Sequence, residues 1–248
     1  MLRPDVIDLR EFYATPLGAM ARRVLRRRIR SLWPSLTNLR LLGLGYATPY
    51  LRPYRDEVER TLAVMPASQG VVHWPDEGAG LVTLADEMEL PFADGSLDRV
   101  LLVHGLENAE NARALLREVW RVLTPTGRVL AVVPNRIGLW ARFESTPFGH
   151  GFSYTPPQLS RLMRDTLFSP TQSGAALYAP PTRRRIVLGA ANWWENAGLR
   201  FWPHFAGMLL VEAEKQVYAI PGTGERARVR ARVRQPALRP VPTARDRT

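Results

Sequence analysis

The sequence predicts an α/β protein built on a doubly wound sheet. Between residues 39 and 133, apolar runs of strand length alternate with stretches of helical periodicity, the rhythm of strands joined through crossover helices. The run Val100-Leu101-Leu102-Val103 is apolar at every position, as suits a strand covered on both faces. The first strand, residues 39–44, runs into Gly43-Leu44-Gly45-Tyr46-Ala47. Glycines there let backbone amides come close to a ligand.

The elements follow in order. Thr15 as N-cap and Pro16 at the first helical position open an N-terminal helix, which Pro34 ends. Leu17, Ala21, Val24, Leu25, Ile29 and Leu32 make its apolar stripe, and Arg22, Arg23, Arg26, Arg27 and Arg30 its other face. Such a helix either covers the edge of a core or lies on an anionic membrane surface. A helix is expected over residues 53–65, with short strands over 70–73 and 81–84. Residues 98–103 read as a fourth strand. Residues 109–123 read as a helix with a stripe of Ala112, Leu115, Leu116, Val119, Val122 and Leu123. Thr124-Pro125-Thr126-Gly127 then turns the chain into a strand over 128–133. Beyond Pro134 the pattern gives a helix over 157–168, a strand over 172–178, a helix over 182–198 and a final strand over 208–217. Trp193 and Trp194, in that last helix, read as packing residues.

These signals divide the chain into an N-terminal helical extension (1–34), an α/β domain (35–221) and a basic tail (222–248). The tail is rich in Arg, Gly and Pro and poor in large apolar groups. It is expected to be disordered, although the alternation of Arg with Ala or Val from Arg226 to Arg234 also fits an edge strand.

Composition excludes several classes of chemistry. The 248 residues include no cysteine, which removes disulfide scaffolds, thiol nucleophiles and Cys-ligated metals. The four histidines (His73, His104, His150 and His204) are scattered and form no HExxH, so no metal site is expected. No apolar run is long enough to cross a bilayer, and the first fifteen residues carry Asp5, Asp8 and Glu11 in place of an apolar leader. A cytoplasmic protein is expected. The net charge of +11 sits at the two ends: residues 1–34 carry +5 and residues 222–248 carry +6, so residues 35–221 sum to zero. The tail is expected to make nonspecific anionic contacts. Lys215 is the single lysine, a bias that genomic base composition explains better than phosphate binding does.

Residues 84–135 narrow the reading. Leu90-Pro91-Phe92, then Asp94-Gly95-Ser96-Leu97-Asp98 ahead of the fourth strand, and Arg121-Val122-Leu123 with Pro125 and Gly127 ahead of the fifth, resemble the class I S-adenosylmethionine-dependent methyltransferases. The closest likeness is to the type-11 group of mostly small-molecule enzymes. The resemblance covers residues 39–135 well and the last third in outline. It implies a seven-stranded, mostly parallel, Rossmann-like sheet whose last strand is antiparallel, and S-adenosylmethionine bound at the C-terminal ends of strands one to four. Gly43, Gly45 and Ala47 match the loop beneath the methionine end of the cofactor. Asp86 matches the acid near the adenine amine, a group a carboxylate can accept from. His104 lies where the family contacts cofactor or substrate, and Asp98 matches a structural acid. Two positions depart from the pattern. Leu41 stands where an acid precedes the first glycine, and the expected second strand ends in His73-Trp74-Pro75 without the ribose-binding acid.

After the fifth strand, residues 135–159 form a connection rich in Gly, Pro and aromatics, the kind of segment that makes a lid or a binding surface. Asn135, Arg136, Trp140 and Tyr154 are candidate substrate contacts, while Trp140 also suits core packing. His150 is the candidate general base, because free imidazole titrates near neutrality. Methyl transfer to a small molecule is the reading these residues support. A degenerate methyltransferase-fold protein that binds a partner, and a binder of nucleic acid or anionic surfaces, stay open beside it. The oligomeric state is not readable from the sequence.

Overall fold

The computed structural model describes residues 4–217; the tail at 222–248, with both readings of it, lies outside them. Two helices precede the sheet. The first, α1 (Val6–Ala14), was not expected. Asp5 starts it by accepting from the Ile7 and Asp8 amides, each at 2.8 Å, and Asp8 reaches back to the Asp5 amide, a reciprocal cap. Thr15 then ends α1 and caps α2 (Pro16–Leu32), so the chain turns sharply between them. The helix α2 runs as the sequence predicted, with its apolar stripe buried and Arg23 and Arg27 exposed. Its apolar face packs on the sheet, which decides between the two readings of that helix: it covers a core.

The strands are β1 (Arg40–Gly45), β2 (Arg60–Pro66), β3 (Val82–Ala85), β4 (Leu97–Val103), β5 (Leu123–Pro134), β6 (Phe168–Ala176) and β7 (Met208–Lys215). They form one seven-stranded sheet in the order β3-β2-β1-β4-β5-β7-β6. The first five are parallel to one another, and β7 is antiparallel to both β5 and β6. This is the doubly wound fold the sequence called for. Alternate strand residues divide between two cores. Leu41, Leu101, Val103, Leu130 and Val132 face α1 and α2, with Ala47, Tyr50 and Leu51 of the segment after β1. Leu42, Leu44, Val100, Leu102 and Val129 face α4 (Ala112–Val122) and α5 (Pro156–Asp165).

Three expected elements differ. Residues 53–65 are not a helix. The helix after β1, α3, spans only Thr48–Leu51 and passes into a single 3-10 turn at Arg52–Tyr54. Pro53 has no amide for a longer helix to use and would clash with the preceding turn. The chain therefore reaches β2 early, at Arg60, and the apolar run Leu62–Met65 is strand rather than helix face. Residues 70–73 consequently lie outside any strand. Near the C-terminus, one expected helix is two, α6 (Arg185–Gly189) and α7 (Ala191–Phe201), broken at Ala190.

Asp98 locks the N-terminal ends of three strands. Its carboxylate accepts from the Arg40 amide at 3.0 Å and from Arg40 Nε and Nη2 at 2.9 and 3.1 Å, and Thr124 Oγ1 lies 3.3 Å away. The guanidinium hydrogen bonds outweigh the cost of partial burial and hold the Asp98 carboxyl below its ordinary range. A depressed folded-state pKa stabilises the fold above the unfolded-state value, near 4, and that gain vanishes as pH falls through the folded value. Asp98→Asn should therefore cost about 1–2 kcal/mol at pH 7. Urea denaturation of both proteins should show the difference shrinking steadily below pH 4.

Candidate functional site

The strand order reverses between β1 and β4, and open α/β sheets bind ligands in the crevice at such a switch point. Gly43 and Gly45 end β1 at this place, and Gly45 takes φ +81°, a conformation that L side chains avoid. A side chain on Gly45 would overlap the Val103 carbonyl and the Gly105 amide, and one on Gly43 would press on Leu51 and Ala47. Both glycines are thus demanded by the close approach of the protein's own segments.

Across the crevice lies α1. Tyr13 is buried there, stacked on Tyr46 with ring centroids 5.7 Å apart. Tyr50 donates its hydroxyl to Tyr13 Oη at 2.8 Å, and Tyr13 Oη is 2.8 Å from His104 Nε2. Because Tyr13 accepts from Tyr50, its own hydrogen goes to His104 Nε2. The imidazole hydrogen then sits on Nδ1, 3.2 Å from Glu107 Oε1. His104 is fully buried, has φ +52°, and its carbonyl accepts from the side-chain amides of Gln69 and Asn108. Burial raises the Tyr13 hydroxyl pKa well above its ordinary value, so this chain of hydroxyls stays protonated. The Val6 amide donates to the Gln69 carbonyl at 2.8 Å, which brings α1 to the end of β2 as well.

Sequence reasoning found His104 and the glycines of this cluster and missed Tyr13, Tyr46, Tyr50, Gln69, Glu107 and Asn108. The strand β2 ends at Met65-Pro66 and is followed by Ala67-Ser68, in place of His73-Trp74-Pro75, and this end too carries no acid. Asp86 follows β3, is exposed, and accepts from the Met88 amide at 2.8 Å. It also lines a cavity of about 190 Å³ with Pro66, Ala67, Ser68, Met88 and Glu110.

The connection after β5 is mostly structural. Asn135 is buried and donates to the carbonyls of His204 and Ala206. Trp140 is fully buried and donates to the Ala179 carbonyl at 2.8 Å. Tyr154 is buried in the core on the α4 side of the sheet. Arg136 is exposed, with its guanidinium over the Phe152 ring. His150 lines a separate cavity of about 460 Å³ with Asp8, Glu11, Phe12, Glu144 and Arg183. Its Nε2 lies 2.8 Å from the Glu144 carbonyl. A carbonyl only accepts, so Nε2 carries the hydrogen and Nδ1 is the basic atom.

The methyltransferase domain family matches residues 42–131, the stretch from β1 through most of β5. The likeness to methyltransferases lies in these residues, which build the first five strands of the sheet. Over 125 residues it is 46% identical to the demethylmenaquinone methyltransferase of Parafrankia sp. (strain EAN1pec), an alignment covering 48% of each chain. The chain spans about half the length of the curated relatives it matches. Among solved structures it is similar to an S-adenosylmethionine-dependent methyltransferase of Thermotoga maritima, described as a possible histamine N-methyltransferase. That match has a TM-score of 0.60 at 15% identity and covers 85% of this chain and 96% of that one. It is also similar to the 1,6-didemethyltoxoflavin-N1-methyltransferase of Burkholderia thailandensis, solved with 1,6-didemethyltoxoflavin and S-adenosylhomocysteine bound. There the TM-score is 0.52 at 15% identity, covering 85% and 82%. At such identities the structures share the fold.

The residues present fit the family cofactor at one end of the crevice. The cavity at Asp86 offers a carboxylate beside Ala67 and Ser68. Glu107 Oε2 and Asn108 Oδ1 are buried acceptors that no described residue donates to; the ammonium and ribose hydroxyls of S-adenosylmethionine are donors of the matching kind. At the glycine turn, the Tyr13 side chain occupies the space against Tyr46 and His104. Gly45→Ala should therefore destabilise the protein before it affects any ligand. Left-handed strain and the clash with Val103 together predict a loss of about 2–5 kcal/mol, measurable by denaturation of the ligand-free protein.

Proposed function

We propose that this protein transfers the methyl group of S-adenosylmethionine to a small-molecule acceptor. The match of residues 42–131 to the methyltransferase domain carries this reading, because those residues build the crevice at the β1/β4 switch point. Gly43, Gly45 and Ala47 would pass beneath the methionine end of the cofactor, with His104 beside them. Asp86 would accept from the adenine amine. The cofactor supplies the electrophilic methyl group, and the protein's part is to align the acceptor and exclude water.

The cavity at His150 has the size of a small-molecule site. Its apolar wall is Phe12 and Pro147, and its polar wall includes Glu144 and Arg183. His150 would take the acceptor's proton at Nδ1. The relatives named for demethylmenaquinone make a quinone-like ring the first acceptor to try. Arg136 is open to contact it, whereas Asn135, Trp140 and Tyr154 are buried away from the lining of this cavity.

Adjacent residues of α1 divide the two halves of this site. Phe12 lines the His150 cavity, and Tyr13 fills the crevice at His104. Reacting atoms must come within about 3–3.5 Å, so α1 has to shift for transfer to occur. Ligand affinity is then lowered by the fraction of molecules in which α1 blocks the crevice.

Calorimetry with S-adenosylmethionine on ligand-free protein tests this. Tyr13→Phe removes one hydroxyl and strands two buried partners, His104 and Tyr50, in the closed arrangement. It should tighten binding by roughly five- to thirtyfold, corresponding to about 1–2 kcal/mol. Asp86→Asn should weaken binding by a similar factor, and wild-type protein should methylate a demethylated quinol, the reduced ring whose hydroxyls make its carbon nucleophilic. Absence of binding heat in both wild type and Tyr13→Phe at millimolar cofactor would overturn the reading.

A further inference from the structure

The segment from α6 to the end of α7, with the turn at Pro203–Phe205, presents apolar and aromatic side chains to solvent. Ile186 is 88% exposed, Phe201 68% and Trp193 59%. The sequence reading of Trp193 as a packing residue is corrected here: its neighbour Trp194 packs against the core, and Trp193 does not. Isolated exposed apolar residues are ordinary, but several large ones on touching elements mark a surface that meets an apolar partner. Leu199 and Phe205 are exposed on the same elements, and α6 and α7 contact each other, as do α7 and the Pro203–Phe205 turn.

The outward charges that this segment and its approach carry themselves are of one sign. Arg183, Arg184, Arg185 and Arg200 are exposed. Glu195 is the segment's single acid, and it is turned inward: its carboxylate accepts from the Leu177 and Tyr178 amides at 3.1 and 2.8 Å. Arg27 of α2 donates to Asn192 of α7 at 2.6 Å, and Arg23 is exposed one turn before it. Exposed arginines thus lie along the same short segment as the exposed aliphatic and aromatic side chains, and the segment has no outward carboxylate of its own.

We propose that this face docks on the surface of an anionic lipid bilayer. Trp and Phe side chains settle at the boundary between headgroups and acyl chains, and Arg reaches the phosphates while its stem stays in apolar surroundings. The aliphatic side chains Ile186 and Leu199 favour acyl chains over nucleic acid, since they offer bases nothing to stack on. Among the described residues no helix is long and apolar enough to cross a membrane, so the contact is peripheral. The proposal stands apart from methyl transfer and does not depend on it.

The test uses the full chain and vesicles of phosphatidylcholine with or without about one third phosphatidylglycerol. Binding is read by co-sedimentation, and burial by quenching of tryptophan emission with lipids brominated on the acyl chain. Basic residues outside the face can hold the protein near anionic vesicles, but they cannot bury Trp193. Wild type should bind the anionic vesicles and be quenched, and Trp193→Phe should lose a distinct part of that quenching. Arg184→Ser with Arg185→Ser should weaken binding by roughly thirtyfold, since each basic residue near an anionic surface is worth about fivefold. Ile186→Ser with Phe201→Ser should weaken it by on the order of tenfold at unchanged charge. These side chains are exposed, so an unchanged melting temperature confirms that the variants fold. Equal quenching of wild type and Trp193→Phe would overturn the proposal. So would unchanged binding of the Ile186/Phe201 variant. A dimer that this variant splits, or competition by single-stranded RNA that it abolishes, would instead assign the face to a second copy or to nucleic acid.

Discussion

Tyr13 brings a hydroxyl to a place that water does not reach, and burying an unpaired hydroxyl costs several kcal/mol. The position is tolerable because Tyr50 donates to it and His104 accepts from it. Those partners come from the segment after β1 and the end of β4, the strands flanking the switch point. Three stretches far apart in sequence are therefore tied at the single spot where an open α/β sheet has room for a ligand. Whatever enters the crevice must offer His104 and Tyr50 something as good as Tyr13, or leave them to solvent. That exchange joins the Val6–Gln69 bond and the Thr15 turn in holding α1 over the crevice.

The helices on the α1 side of the sheet share one core. Pro49 and Pro53 restrict α3 to one turn. The helix α2 lies on the same face, against α3 and β6. Leu25, Ile29 and Leu32 of α2 join the core on that face, and Arg26 Nη2 donates to the Pro49 carbonyl at 2.7 Å. Arg30 forks onto Glu57 at 2.7 and 2.8 Å. Once α2 is fixed there, the shared Thr15 turn delivers α1 to the end of the sheet. The residues that close the crevice are placed by the packing of α2 and by the turn at Thr15.

How much of this was legible in the sequence follows from the range of each interaction. The parallel strands β1, β4 and β5 could be read because burial on both faces makes each nearly continuous in apolar residues, and α2 could be read from its cap and stripe. The strand β2 was misread because Val58, Leu62 and Met65 also fit helical spacing, and nothing local says that Pro53 ends the helix so soon. The helix α1 was missed because its few buried residues (Val6, Leu9 and Tyr13) are spread among acids and arginines. In the site, Gly43, Gly45, Asp86 and His104 carry local signatures. The Tyr13–His104 bond spans 91 positions, and no short motif encodes a contact of that range.

Net charge shows the same limit. Residues 35–221 sum to zero in sequence, yet the fold does not distribute the two signs alike. Glu87, Glu107 and Glu212 are buried, and Glu195 faces inward onto backbone amides. Glu212 takes the Trp33 indole at 2.8 Å and the Thr171 hydroxyl at 2.7 Å, with Arg128 alongside at 3.3 Å. Carboxylates suit such work because they accept several hydrogen bonds from compact positions, whereas guanidinium groups extend outward on long stems. A neutral sum therefore folds into a surface with an excess of exposed arginine, and that excess gathers where α7 turns its one acid to the interior. The electrostatic character of the surface thus follows from which charges the backbone needs inside, a property of the fold that composition cannot display.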